Sequence, residues 1–148
     1  MRSPLDCKLY GIIDLGYVKP DAVAEMTRAL VEGGVDILQL RAKNVPPTEV
    51  ERLARQMHPV TRDAGVPLVI NDHPEVAAVV GTEGIHVGQD DLSVAETRRI
   101  VGASCFVGKS THSLAQARAA MNEGADYIGF GPLFATGTKP DYTPIGLS

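Results

Sequence analysis

Tryptophan is absent from this sequence, and only three phenylalanines and four tyrosines occur. Such scarcity argues against a surface that stacks sugars or bases on aromatic faces. Cysteine is nearly missing too: Cys7 and Cys105 stand far apart, outside any CxxC or Cys/His cluster. Nothing points to a disulfide framework or a cysteine metal site, and a reduced, cytoplasmic setting is the expectation. Basic charge is not in surplus. Fourteen Lys and Arg face eighteen Asp and Glu, a net −4, which leaves no electrostatic footprint for nucleic acid or anionic lipid. The apolar runs are far shorter than a membrane span, and Met1 to Cys7 holds no apolar stretch of a secretory signal.

What is present is 148 residues, 44% apolar and 22% charged, enough for one domain over residues 1–148 with a real core. Six short apolar runs read as strands: Leu9–Asp14, Asp36–Arg41, Pro67–Asn71, Gly84–Gly88, Cys105–Lys109 and Asp126–Phe130. They show little alternation, as expected of strands buried on both faces. Between them Val23, Met26 and Leu30 recur at helical spacing, as do Val50, Leu53, Ala54, Met57 and Val60. Thr48-x-x-Glu51, Ser93-x-x-Glu96 and Ser113-x-x-Gln116 each match a capping box. Gly33, Gly65, Gly102 and Gly124 are the expected helix stops. A weak repeat joins Gly34-Val35-Asp36, Gly81-Thr82-Glu83 and Gly124-Ala125-Asp126, each leading into a strand.

Strict β-α alternation predicts a parallel sheet with right-handed crossovers, either open and doubly wound or a barrel. Polar residues collect at nearly every strand end: Asp14, Gln39/Arg41/Lys43, Asn71/Asp72, Gln89/Asp91 and Lys109/Ser110/His112. An open sheet needs this only at its switch point, whereas in a barrel all strand ends share one mouth. No GxGxxG or Walker A loop favours the open form. The fold class expected is α/β, of the TIM (βα)8 barrel family. A full barrel takes about 200 or more residues, so six of the eight units are expected here, with two missing from the C-terminal side.

Four constellations could carry chemistry. Asp72 and Asp91 follow neighbouring strands, where two carboxylates can converge on Mg²⁺; the plain alternative for Asp72 is a helix cap. Gln39, Arg41 and Lys43 share one side of a strand and could grip an anion, unless Arg41 and Lys43 simply lie solvated past its end. Ser110 and His112 share a side in the next-but-two strand, although a lone histidine is more often structural. His58 and His73 read as a helix-surface and a loop residue. Last, Thr136, Thr138 and Lys139 sit in a Gly/Thr/Pro loop that could wrap a phosphate or be plain surface.

Taken together, Q-L-R-x-K, N-D, G-I-H-V-G-Q-D-D, G-K-S-T-H-S and Y-I-G-F-G-P-L-F-A-T-G-T-K-P resemble the thiamine-phosphate synthase family, from Tyr10 to Leu147. The resemblance implies a phosphate-binding barrel, cytoplasmic and possibly homodimeric. It would join an aminopyrimidine methyl pyrophosphate to a thiazole phosphate by a dissociative route, making thiamine phosphate and pyrophosphate. It implies Mg²⁺ on Asp72 and Asp91. Gln39, Arg41, Lys43, Asn71, Ser110 and Lys139 would bind the pyrimidine and its pyrophosphate, with Arg41, Lys43, Ser110 and Lys139 acting in catalysis. Thr136 and Thr138 would contact the thiazole phosphate, and His112 would line the site. Departures from the family pattern are Asp90 in Gln89-Asp90-Asp91, where it has Glu, and Ala135 in Phe134-Ala135-Thr136, where it has Pro. Two alternatives stay open: a thiazole-tautomerase-like barrel using His112 as acid and base, and a non-catalytic binder of a pyrophosphate-containing ligand.

Overall fold

Each apolar run becomes a strand, and each helical pattern a helix. The computed structural model describes residues 4–135 and 143–146. The strands are β1 (Tyr10–Asp14), β2 (Ile37–Arg41), β3 (Leu68–Asn71), β4 (Gly84–Val87), β5 (Phe106–Thr111) and β6 (Tyr127–Phe130). The helices between them are α1 (Val23–Glu32), α2 (Pro47–Asp63), α3 (Pro74–Val80), α4 (Val94–Val101) and α5 (Leu114–Asn122). All strand pairs are parallel and the order is β1-β2-β3-β4-β5-β6. A doubly wound sheet reverses its order at the switch point, so this sequential order excludes it. The sheet curls strongly, since Tyr10 on β1 and Tyr127 on β6 touch through their phenol oxygens at 2.8 Å.

One strand face meets the helices and forms the core. Ile13, Leu38, Leu40, Leu68, Ile70, Ile85 and Val107 pack there against Val23, Val50, Leu53, Met57, Val76 and Val94, all buried. Burial at roughly 25 cal/mol per Å² makes this layer the main stabilising term. The inner face is layered by register. Ile12, Gln39, Val69, Gly84 and Phe106 form one row, and Asn71, His86, Gly108 and Tyr127 another. Two glycines make room in these rows. A Cβ on Gly84 would lie 2.3 Å from Phe106, and one on Gly108 would lie 2.2 Å from Tyr127.

The weak sequence repeat has a physical cause. Asp36, just before β2, accepts the backbone N–H groups of Lys8 and Leu9 at 3.0 Å each. Glu83, before β4, accepts Leu68 N–H at 2.9 Å. Asp126, before β6, accepts Val107 N–H at 2.7 Å. A strand's first amides would otherwise lack partners. Each acidic residue thus ties the start of one strand to the strand that follows it.

Local expectations need four corrections. Ser93 heads a complete capping box with Glu96, but Thr48 does not cap α2, which starts at Pro47. A proline at the first helical position fixes φ there and gives up no needed N–H. The left-handed stop of α1 is Gly34, not Gly33. Met26 is 39% exposed, while Thr27 takes the buried place on α1 and donates to Val23 O. His58 is not a surface residue: its ring is withdrawn from solvent and bonds Glu83 at 3.0 Å. Among the described residues no helix is long and apolar enough to cross a membrane.

Candidate functional site

The inner face opens into a cavity of about 650 Å³ lined by Gln39, Arg41, Asn71, Ser110 and His112, among others. The sequence placed these five together with Lys43; the ends of β2, β3 and β5 deliver the five to the cavity, and Lys43 is not among the residues that line it. Gln39 and Asn71 are buried polar side chains, which the hydrophobic effect does not explain. Arg41 forms an ion pair with Asp14 of β1 at 2.5 Å. Asp14 is itself fixed by Gly16 N–H at 2.9 Å, so one corner of the guanidinium is anchored. His112 donates from Nδ1 to Gly131 O at 2.5 Å, a bond that ties the end of β5 to the segment after β6.

Sequence reasoning assigned no role to Tyr10, His86 and Tyr127, yet they connect the cavity walls. Gln39 Nε2 donates to Tyr10 OH at 2.7 Å. Tyr10 OH meets Tyr127 OH, which meets His86 Nδ1 at 3.0 Å, and His86 Nε2 meets Ser110 Oγ at 2.9 Å. One direction of donation satisfies every member, running Gln39, Tyr10, Tyr127, His86, Ser110. Burial holds both phenols above their ordinary pKa, most strongly at Tyr127, where a charge on Tyr10 would add to the effect. Both therefore stay protonated and available to the network. The signal for His86 was present: a titratable side chain in the middle of an apolar strand needs partners.

A second group lies at the ends of β2, β3 and β4. Lys43 pairs with Asp72. Asp72 has a left-handed backbone, φ 66°, and its N–H donates to His86 O at 2.9 Å. A non-glycine residue holds that conformation at a cost of about 1–3 kcal/mol. It does not cap α3, whose cap position is His73. Asp91 folds back so that Oδ2 accepts Gly88 N–H at 2.7 Å. Loss of surrounding water, then a hydrogen bond with Asp72, pushes the Asp91 carboxyl above its usual range; Gly88 N–H and the Lys43 charge oppose this. Two carboxylates placed this close form a donor set that a divalent cation would relieve. The chemistry of this pair suits a hard divalent cation such as Mg²⁺, whose other positions substrate oxygens could fill; among the described residues no three acidic, His or Cys side chains cluster as a full protein cage.

Thr136, Thr138 and Lys139 lie outside the described residues. Of the described residues near them, Ile145 N–H donates to Pro132 O at 2.8 Å and Gly146 N–H to Leu133 O at 3.2 Å.

The family model described as "Thiamine monophosphate synthase" matches residues 9–148. A thiamine-phosphate synthase of Chloroflexus aurantiacus is 42% identical over 144 residues, 97% of this chain and 66% of that protein. One of Pelotomaculum thermopropionicum is 41% identical with the same coverages. Among solved structures, thiamine phosphate pyrophosphorylase from Pyrococcus furiosus superposes with a TM-score of 0.82 at 31% identity, covering 95% of this chain and 66% of that one. The chain thus spans about two thirds of the length of these relatives. With a matching motif set, a sequential parallel sheet and a family match over residues 9–148, the chain belongs to the thiamine monophosphate synthase family.

Proposed function

We propose that this chain is a thiamine-phosphate synthase, joining an aminopyrimidine methyl pyrophosphate to a thiazole phosphate with release of pyrophosphate. The observation that carries the reading is the carboxylate pair Asp72 and Asp91, with Lys43, beside the cavity that Arg41 and Asn71 line. Pyrophosphate takes the electron pair of the breaking C–O bond, so negative charge grows on its oxygens. Arg41 and Lys43 meet that charge, and preorganised cations of this kind supply several kcal/mol in a water-poor site. When bound to Asp72 and Asp91, Mg²⁺ would neutralise the leaving pyrophosphate further. Asp14 keeps the Arg41 fork aimed while its remaining N–H groups bind the anion. Gln39, Asn71 and Ser110 present polar groups to the flat pyrimidine, and the Tyr10–Tyr127–His86 chain holds Gln39 and Ser110 in place. Neither a protein nucleophile nor a general base is required. Lys139 on the pyrophosphate and Thr136 and Thr138 on the thiazole phosphate complete the proposal from the sequence.

The architecture we infer is six of the eight units of a (βα)8 barrel, supported by the sequential parallel order and by the likeness to the Pyrococcus furiosus structure. We also propose a cytoplasmic setting and a homodimer. The activity is tested by incubating the chain with both substrates and Mg²⁺ and measuring thiamine phosphate. Product is expected, and Asp91→Asn should cut turnover about a hundredfold or more with an unchanged circular dichroism spectrum. No product at high enzyme concentration overturns the reading.

A further inference from the structure

We propose that Lys109 is a positioning residue: it fixes the Gly88–Leu92 loop so that the Asp91 carboxylate faces Asp72. The proposal rests on reading Asp72 and Asp91 as divalent-cation ligands.

Lys109 lies on β5 and is only 7% exposed. Lysine is almost never buried to this degree unless its ammonium is partnered. Here the hydrogen-bond partners are main-chain carbonyls, Gly88 O at 2.8 Å and Leu92 O at 3.2 Å. Both belong to one loop, the connection from β4 to α4, and they bracket Asp91. Gly88 is engaged on both of its peptide groups. Its carbonyl accepts Lys109, and its N–H donates to Asp91 Oδ2 at 2.7 Å. The Asp91 N–H returns to the same carbonyl at 3.4 Å. The turn is so tight that a Cβ on Gly88 would lie 2.8 Å from Asp91 Oδ2. Within the same loop, Gln89 Nε2 donates to Ser110 O at 2.6 Å. Two adjacent residues of β5 therefore hold the loop, Lys109 through its ammonium and Ser110 through its carbonyl.

The chemical sense is plain. A carboxylate that must present an oxygen to a cation needs a fixed main chain behind it, and groups behind metal ligands tune affinity strongly. Without the ammonium, the Gly88 and Leu92 carbonyls lose their buried donor, and the turn that holds Asp91 loses its support.

Mn²⁺ titrated into the 148-residue chain, with free Mn²⁺ read by electron paramagnetic resonance, tests this without turnover. The variants are Asp91→Asn, Lys109→Met and Lys109→Arg, each checked for fold by circular dichroism and melting. Asp91→Asn and Lys109→Met should each weaken Mn²⁺ binding about tenfold or more, whereas Lys109→Arg, which still donates to both carbonyls, should stay within about threefold of the parent. Lys109→Met binding Mn²⁺ like the parent, while Asp91→Asn is weakened, overturns the proposal and leaves the metal reading standing. Lys109→Arg as weak as Lys109→Met also counts against it, because charge and donors are retained. A Lys109→Met chain that cannot fold overturns it too, since the support would then belong to all of β5. If the parent binds no Mn²⁺, or Asp91→Asn binds as the parent does, the metal reading itself fails and this proposal falls with it.

Discussion

The phenol oxygens of Tyr10, on the first strand, and Tyr127, on the sixth, lie 2.8 Å apart across the interior of the curled sheet. Strands far apart in sequence are thereby joined by side chains alone, and the joint is continuous with His86 and Ser110. Tyr127→Phe keeps the ring but leaves Tyr10 OH and His86 Nδ1 each short of a partner. The expected cost is about 1–3 kcal/mol in urea unfolding. Turnover should fall roughly tenfold, equal to ~1.4 kcal/mol of lost positioning. Full turnover in this variant would remove the network from the site.

Gly108→Ala is expected to harm the same network by steric force. The added carbon would meet Tyr127 Cζ at 2.2 Å. Overpacking of this kind costs about 1–3 kcal/mol. Tyr127→Ala in the same chain should relieve it, so the double variant is destabilised less than the sum of the singles. Strict additivity would mean that the two residues do not touch.

Asp126→Asn tests the ties at the N-terminal end of the strands. It loses the charge that Val107 N–H and Arg98 Nη2 meet at 2.7 Å each. A drop of about 1 kcal/mol or more in stability is expected, with turnover unchanged, because that end of such sheets serves stability rather than chemistry. Thermal unfolding and steady-state kinetics on one preparation decide it.

Cys105 predicts an alkaline dependence. Burial pushes its thiol up to about 12 from an ordinary value of 9.0. A group whose folded pKa is raised contributes stability below its unfolded value and loses it as pH rises towards the folded one. Stability should therefore fall from about pH 9 upward. Tyr10 and Tyr127 act with the same sign, so the comparison is with Cys105→Ala, whose slope should be shallower. Ellman's reagent at pH 8 should leave Cys105 untouched until the chain unfolds, since the thiolate is the nucleophile.

Strand positions were legible because strands with both faces covered leave unbroken apolar runs, as Leu68–Asn71 does. The parallel sequential sheet followed from the alternation and from polar residues at so many strand ends. That Gln39 and Arg41 line a cavity was legible because polar side chains on a buried strand need a reason to be there; Asn71, Ser110 and His112 line it too, at or just past their strand ends. Tyr10 and Tyr127 were not, because an aromatic in an apolar run looks like core until the curl of the sheet brings two strands face to face. Thr48 misled because its capping pattern competes with Pro46-Pro47, and the proline ring decides where the helix begins. His58 misled because helical periodicity says nothing of Glu83, which arrives from a strand twenty-five residues later.

The acidic ties before β2, β4 and β6 have a consequence for how such a chain can be taken apart. Asp36 binds the first strand to the second, Glu83 the third to the fourth, and Asp126 the fifth to the sixth. Cuts or new termini placed between those couples would leave these acidic ties within one piece, whereas a cut inside a couple would divide one of them. At the N-terminal end of the strands the protein is thus segmented in twos, and new termini should cost less stability between couples than within them.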